Sequence, residues 1–170
     1  MIDPLKAKVQ ALCAFFLVGS IAIAAPIESA LASSFCSDVN HLIENVHASF
    51  SEIIVEPGRA SGGYDVTLKL DGAFDCAVTP RINKKSYYCT WKFQYRAANA
   101  YTTFKKLDLE LKECIGDRAV LHKDQSVNHP DFYDSRIFQL DQAKITVSVK
   151  DKGALGNTFI FIWVEPGSGA

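Results

Sequence analysis

The residues of this chain whose types invite chemistry gather in one polar stretch. His122 and His129 lie there with Asp124 and Asp131, and imidazole with carboxylate is a ligand set that zinc accepts. The spacing matches no compact zinc pattern, so histidines of an exposed loop are the simpler reading. Asp131 and Asp134 in the same stretch form a carboxylate pair of the kind acid–base catalysis uses, although such a pair in a polar loop is ordinarily solvated. A small hydrolase or a ligand- or metal-binding domain built on the His122 to Asp134 loop is therefore the alternative functional reading. His41 and His47 are six residues apart on a predicted helix, which sets them about 240° apart around its axis. They cannot chelate one ion and read as surface residues. The sequence has no Gly-x-Ser-x-Gly elbow, no His-Glu-x-x-His and no glycine-rich phosphate loop, the motifs that would name a nucleophile, a catalytic metal or a nucleotide. No cofactor, metal site or catalytic residue is assigned.

The cysteines say more. Residues 1–32 have the three-part layout of a cleavable secretory signal: Lys6 and Lys8, an apolar run from Ala11 to Ala25, and a small-x-small site at Ala30, Leu31 and Ala32. The apolar run falls short of the roughly 20 residues a spanning helix needs, so no membrane association is expected once it is removed. Cys13 leaves with the signal, and Cys36, Cys76, Cys89 and Cys114 remain, an even set in a compartment where thiols oxidise. A cysteine nucleophile would need a free thiolate, which even pairing does not leave. The compartment is expected to be periplasmic or extracellular. No Asn is followed two residues later by Ser or Thr, which suits a bacterial envelope.

Strand periodicity chooses among the three possible pairings. Tyr87, Cys89, Trp91, Phe93 and Tyr95 alternate with polar residues, and Phe74, Cys76 and Val78 alternate upstream, so both cysteines fall on the apolar face of a strand. Antiparallel pairing with Cys76 opposite Cys89 sets Phe74 against Trp91 and Val78 against Tyr87, and opposed Cα atoms then lie within disulfide reach. Cys36 with Cys114 follows by elimination. Parity also decides the preceding turn. A two-residue Asp71-Gly72 loop would throw Phe74, Cys76 and Val78 onto the face opposite to Val66, Leu68 and Leu70. An odd Asp71-Gly72-Ala73 turn, with Gly72 at positive φ, restores a common face.

Around these strands, apolar residues from Phe35 to Ile54 recur at steps of three and four and predict a long first helix that Pro57-Gly58 ends. A second stripe from Ala97 to Ile115 predicts another helix, capped by Gly116. Asp117 to Asp134 reads as a long surface loop. Strands follow around Arg136 to Leu140, through Ala143, Ile145, Val147 and Val149, and over Thr158 to Val164. The sum is one disulfide-bonded α+β domain over 33–164 with a short tail at 165–170: a single antiparallel sheet, two helices on one face, in the order α-β-β-β-α-β-β-β. In element order alone this resembles small secretion-chaperone-like domains, a likeness without a motif that carries no function. No internal repeat is visible.

The last strand, Phe159 to Val164, is apolar on both faces, whereas helices can cover only one. Ile160, Ile162 and Val164 are taken as the uncovered row and so as a possible partner surface, with the Asp117 to Asp134 loop as the other possible cover. Arg81, Lys84 and Lys85, crowded in one turn, are candidate contacts for an acidic partner. The formal net charge of −1 gives no reason to expect nucleic acid. The functional expectation is an exported, non-enzymatic domain that binds a protein partner, or a second copy of itself, through its sheet face. Inhibitors, immunity proteins and secretion accessories belong to that class. Export predicts a mature chain beginning at Ser33 with no free thiol. N-terminal sequencing and thiol titration of the secreted protein check both, and an intact leader with reactive thiols would contradict the reading.

Overall fold

The computed structural model describes residues 27–60, 62–82, 84–124 and 133–167, with backbone alone for 27–33 and 124. Helix α1 runs Ile27–Asn45 and is followed by strands β1 Ile54–Arg59, β2 Gly63–Val66, β3 Asp75–Arg81 and β4 Lys84–Gln94. Helix α2 spans Ala98–Ile115, and β5 Val120–Asp124, β6 Tyr133–Gln139, β7 Ala143–Lys152 and β8 Asn157–Pro166 complete the chain. All eight strands form one antiparallel sheet in the order β1-β2-β3-β4-β8-β7-β6-β5. Each half of the chain is thus a helix followed by a four-stranded meander, and the two meanders meet where β4 pairs with β8. The expected helix–strands–helix–strands order holds. Each block gains one further strand, β1 and β5, at the outer edges of the sheet. Among the described residues no helix is long and apolar enough to cross a membrane. The expected signal segment falls largely outside the described residues.

The helices bury one row of every central strand. Val39, Leu42 and Ile43 from α1 and Phe104, Leu107 and Leu111 from α2 share a core with Val78, Tyr87, Val147 and Ile162. Each such side chain taken fully out of water stabilises the fold by about 1.5–3 kcal/mol. Both disulfides are formed, as expected for a chain that matures where thiols oxidise. Cys76 and Cys89 are register partners with Cα atoms 4.1 Å apart. Cys36 and Cys114 join the two helices, Cα atoms 4.9 Å apart. Arg118 reinforces that junction: its guanidinium donates to the carbonyls of Cys114 and Ile115 at the end of α2 and to Asn40 Oδ1 of α1 at 2.9 Å. Gly116 caps α2 at φ 57°, its N–H reaching the Lys112 carbonyl.

Three expectations need correction. The first helix stops at Asn45 rather than near Ile54. Ser49 and Phe50 adopt left-handed φ values of 54° and 61°, and the Phe50 N–H reaches back to the Asn45 carbonyl at 3.0 Å. Val46, Phe50 and Ile53 are buried all the same, because the turn folds the chain back over the same core. Pro57 and Gly58 then lie inside β1, where a missing donor is tolerated because the strand is an edge. The second correction concerns Phe74, which is 70% exposed instead of facing Trp91 on the inner side. Gly72 takes the expected positive φ, 67°, but the Ala73 N–H bonds to the Leu70 carbonyl around a tight Asp71-Gly72 turn rather than a three-residue one, and strand geometry resumes only at Asp75. Val66, Leu70, Cys76 and Val78 are buried together, as the parity argument requires. The third is the long loop: residues 120–124 form β5, paired with β6 from Val120↔Gln139 to Asp124↔Ser135.

Arg59, at the end of β1, ties three strands. It donates to Asp65 at 2.6 Å, to Asp75 at 2.8 Å and to the Cys76 carbonyl at 3.0 Å. That hydrogen bond and charge hold the Asp75 carboxyl below its ordinary value of 3.8, against the opposing effect of partial burial. A carboxyl depressed in the folded state adds stability above its unfolded pKa and loses it as pH falls through the folded pKa. An Asp75→Asn variant should therefore be less stable than wild type at neutral pH, and the two should converge as pH falls through that lowered folded pKa. Thermal melts across that range check this, and parallel curves would contradict it. Replacing Cys36 and Cys114 together by alanine should cost about 4–5 kcal/mol, the value for a loop of this length, read from denaturant midpoints with the fold retained.

Candidate interaction surface

Strand alternation gives β8 two unlike rows, and its neighbours decide which row goes inward. The β4 row containing Tyr87, Cys89 and Trp91 pairs with Val164, Ile162 and Ile160, so the aliphatic row of β8 joins the disulfide row beneath the helices. Ile160, Ile162 and Val164 are at most 1% exposed. They belong to the core, and the partner surface expected of them cannot lie there. The row that no described helix covers is Phe159, Phe161 and Trp163, each half-buried on the face opposite to the helices.

This outer face has a regular layout. Reading across β4, β8 and β7, its rows are Tyr88–Trp163–Thr146, Thr90–Phe161–Ser148 and Lys92–Phe159–Lys150. An aromatic spine on β8 is flanked mainly by hydroxyl side chains, with lysines at one end. Phe159 and Phe161 stack with centroids 6.0 Å apart, and Tyr88 lies 5.0 Å from Trp163. Cations sit over these rings: Arg81 over Trp163 at 4.8 Å, Lys150 over Tyr133 at 5.0 Å and over Phe161 at 5.8 Å, and Lys92 over the exposed Phe74 at 5.6 Å. Such contacts are worth about 0.5–1 kcal/mol where exposed.

At the other end of the spine, Glu165 accepts from Lys144 at 2.6 Å and lies 3.7 Å from Arg81. Burial pushes its carboxyl up, but the Lys144 hydrogen bond and the surrounding positive charge outweigh that and lower it. Lys150 is in the opposite situation. Burial, with the like charge of Lys152, pulls its ammonium below the usual lysine value. Arg81 and Lys84 are partners across the β3–β4 hairpin and are exposed, as is Ile82 between them at 92%. Lys85 lies over the Tyr64 ring at 4.5 Å. The basic turn expected of Arg81, Lys84 and Lys85 is therefore present, and Arg81 connects it to the aromatic spine.

Of the residues of the catalytic alternative, His122 and Asp134 lie on opposite faces of the sheet. His122 pairs with Ile137 and belongs to the outer face at the β5 edge. Asp134 pairs with Val149 on the inner face, where it is buried and accepts from Arg136 beneath α2. His129 and Asp131 lie outside the described residues. Among the described residues no group of three or more His, Cys, Asp or Glu is placed to hold a metal. Asp151, also buried, accepts from Thr158 at 2.6 Å and Tyr101 at 3.2 Å and faces Arg96 at 3.3 Å, which fastens the start of α2 to the β7–β8 hairpin. Sequence reasoning missed Phe159, Phe161, Trp163, Lys92 and Lys150 as the surface set. The signal that could have found them was the parity of the Cys89 row, had β8 been paired with β4.

No family model, curated protein or solved structure matches this chain. Any reading of function therefore rests on the face itself.

The two rows of β8 should respond oppositely to a charge. Ile162→Asp buries a carboxylate with no partner and should abolish cooperative folding. Phe161→Asp, one residue away on the outer side, should cost about 1–2 kcal/mol through lost cross-strand contact. Circular dichroism melts of the two variants check this, and equal losses would contradict the assignment of faces.

Proposed function

We propose that this is an exported, non-enzymatic domain that binds another protein through the outer face of its sheet. It would act in the periplasm or outside a bacterial cell, as inhibitors, immunity proteins and secretion accessories do. The observation that carries the reading is the aromatic spine of Phe159, Phe161 and Trp163 on the face that no described helix covers. Aromatic residues and arginine are enriched at the energetic centres of protein interfaces, and this spine is bordered by Arg81 over Trp163. Rings clustered in this way on a sheet face mark an interaction surface more often than scattered surface residues do. The two disulfides support the exported setting, since such bonds persist where thiols oxidise.

A photo-crosslinking side chain introduced at Phe161 in the exporting cell should trap a discrete protein adduct, and one at the helix-side position Lys105 should not. The trapped protein, purified, should bind the wild-type domain and lose at least ten-fold in affinity to Phe161→Asp. Equal trapping from both positions, or binding unchanged by the substitution, would overturn the proposal.

A further inference from the structure

The cations of this protein are unevenly placed. The chain as a whole is close to neutral, with a formal net charge of −1, yet its outer face carries Arg81, Lys84, Lys92, Lys144 and Lys150. The carboxylate set among them, Glu165, is engaged by Lys144 and Arg81. Asp65 and Asp75, at the β2–β3 end of the face, are both held by Arg59. Lys92 and Lys150 flank Phe159 in direct register, one strand away on either side, which puts their Cα atoms about 10 Å apart. Both ammonium groups rest against rings. Burying such a face against an apolar or basic partner would strip water from two cations without compensation. Against carboxylates the same burial strengthens each pair. A second copy docking face to face about an axis near Phe159 would bring the same lysines together, and like charges across an interface cost several kcal/mol. The isologous dimer is therefore disfavoured by the charge of the face itself.

Resting on the protein-binding reading, we infer that the partner presents an acidic segment. Its carboxylates meet Lys92 and Lys150, and an apolar side chain between them packs on Phe159 and Phe161. Diffusional encounter is then steered by charge and weakens as salt rises.

The test uses a fluorescent peptide of alternating glutamate and leucine, the matching lysine–leucine peptide, an oligouronate and anionic phospholipid vesicles, with binding read by anisotropy and sedimentation. The wild-type domain should bind the glutamate peptide, with at least ten-fold weakening between 50 and 200 mM salt, roughly the slope that several screened pairs give. It should ignore the lysine peptide. A Lys92→Glu, Lys150→Glu variant should exchange these preferences, while Lys92→Gln with Lys150→Gln should weaken glutamate-peptide binding at least ten-fold and gain nothing. The neutral pair serves if the reversed pair does not fold. Glutamate-peptide binding that survives both variants but is lost in Phe161→Asp would overturn the acidic inference and leave the protein-binding reading intact. Binding to the oligouronate or the vesicles, with no peptide bound, would overturn both.

Discussion

Among the described residues, eight pairs between β4 and β8, from Tyr87↔Val164 to Gln94↔Asn157, form the ladder that joins the two halves of the sheet. Everything else follows from that seam. The strands lie at the middle of the sheet, so their backbone groups are satisfied on both sides and their inner rows are sealed by helices. Each half alone would be a four-stranded meander with one helix and an open edge at β4 or β8, the kind of edge that templates aggregation. Pairing the two edges removes that liability in the middle and leaves only β1 and β5 at the margins. Pro57 interrupts β1, whereas β5 is five residues long.

The seam also fixes which side chains face where. Setting Cys89 opposite Ile162 places the aliphatic row of β8 under the helices and turns the aromatic row outward. The Cys36–Cys114 bond reinforces the same junction from above by tying α1 of one half to α2 of the other. Asp151 does so from the side, since Tyr101 of α2 and Thr158 of β8 both donate to it. The outer face is thus a consequence of how the core is assembled: rings that are not needed beneath the helices are displayed on a rigid sheet with cations around them. A surface built on central strands keeps its geometry better than one built on loops.

Much of the fold was legible in the sequence where the information is local. The Cys76–Cys89 register and the shared inner face of Val66, Leu70, Cys76 and Val78 both follow from side-chain parity over about twenty residues. The second helix and its Gly116 cap follow from apolar spacing and one glycine. Long-range pairing was less accessible. That β8 is apolar on both faces was plain, but which row goes inward depends on a partner strand more than sixty residues upstream, and nothing in β8 itself declares it. The end of α1 was hidden for a different reason. Val46, Phe50 and Ile53 keep helical spacing although the chain has left the helix, because a turn through two left-handed residues, neither of them glycine, buries the same positions. The edge strands escaped notice because edges tolerate what strands elsewhere reject: Pro57 in β1, and in β5 the exposed Val120 and Leu121 with no buried row. The candidate site inherits this split. The basic turn at Arg81, Lys84 and Lys85 is local and could be read. The aromatic spine and the Lys92–Phe159–Lys150 row are products of the seam.

Native-state hydrogen exchange tests the seam most directly. If β4–β8 pairing holds the two halves as one cooperative unit, the amides of Tyr87 to Phe93 and Thr158 to Val164 should be the slowest in the protein and exchange only through global unfolding. The β1 and β5 amides should exchange by local fraying. A free energy of opening for β8 well below the global value, or separate unfolding of the two meanders, would contradict the account.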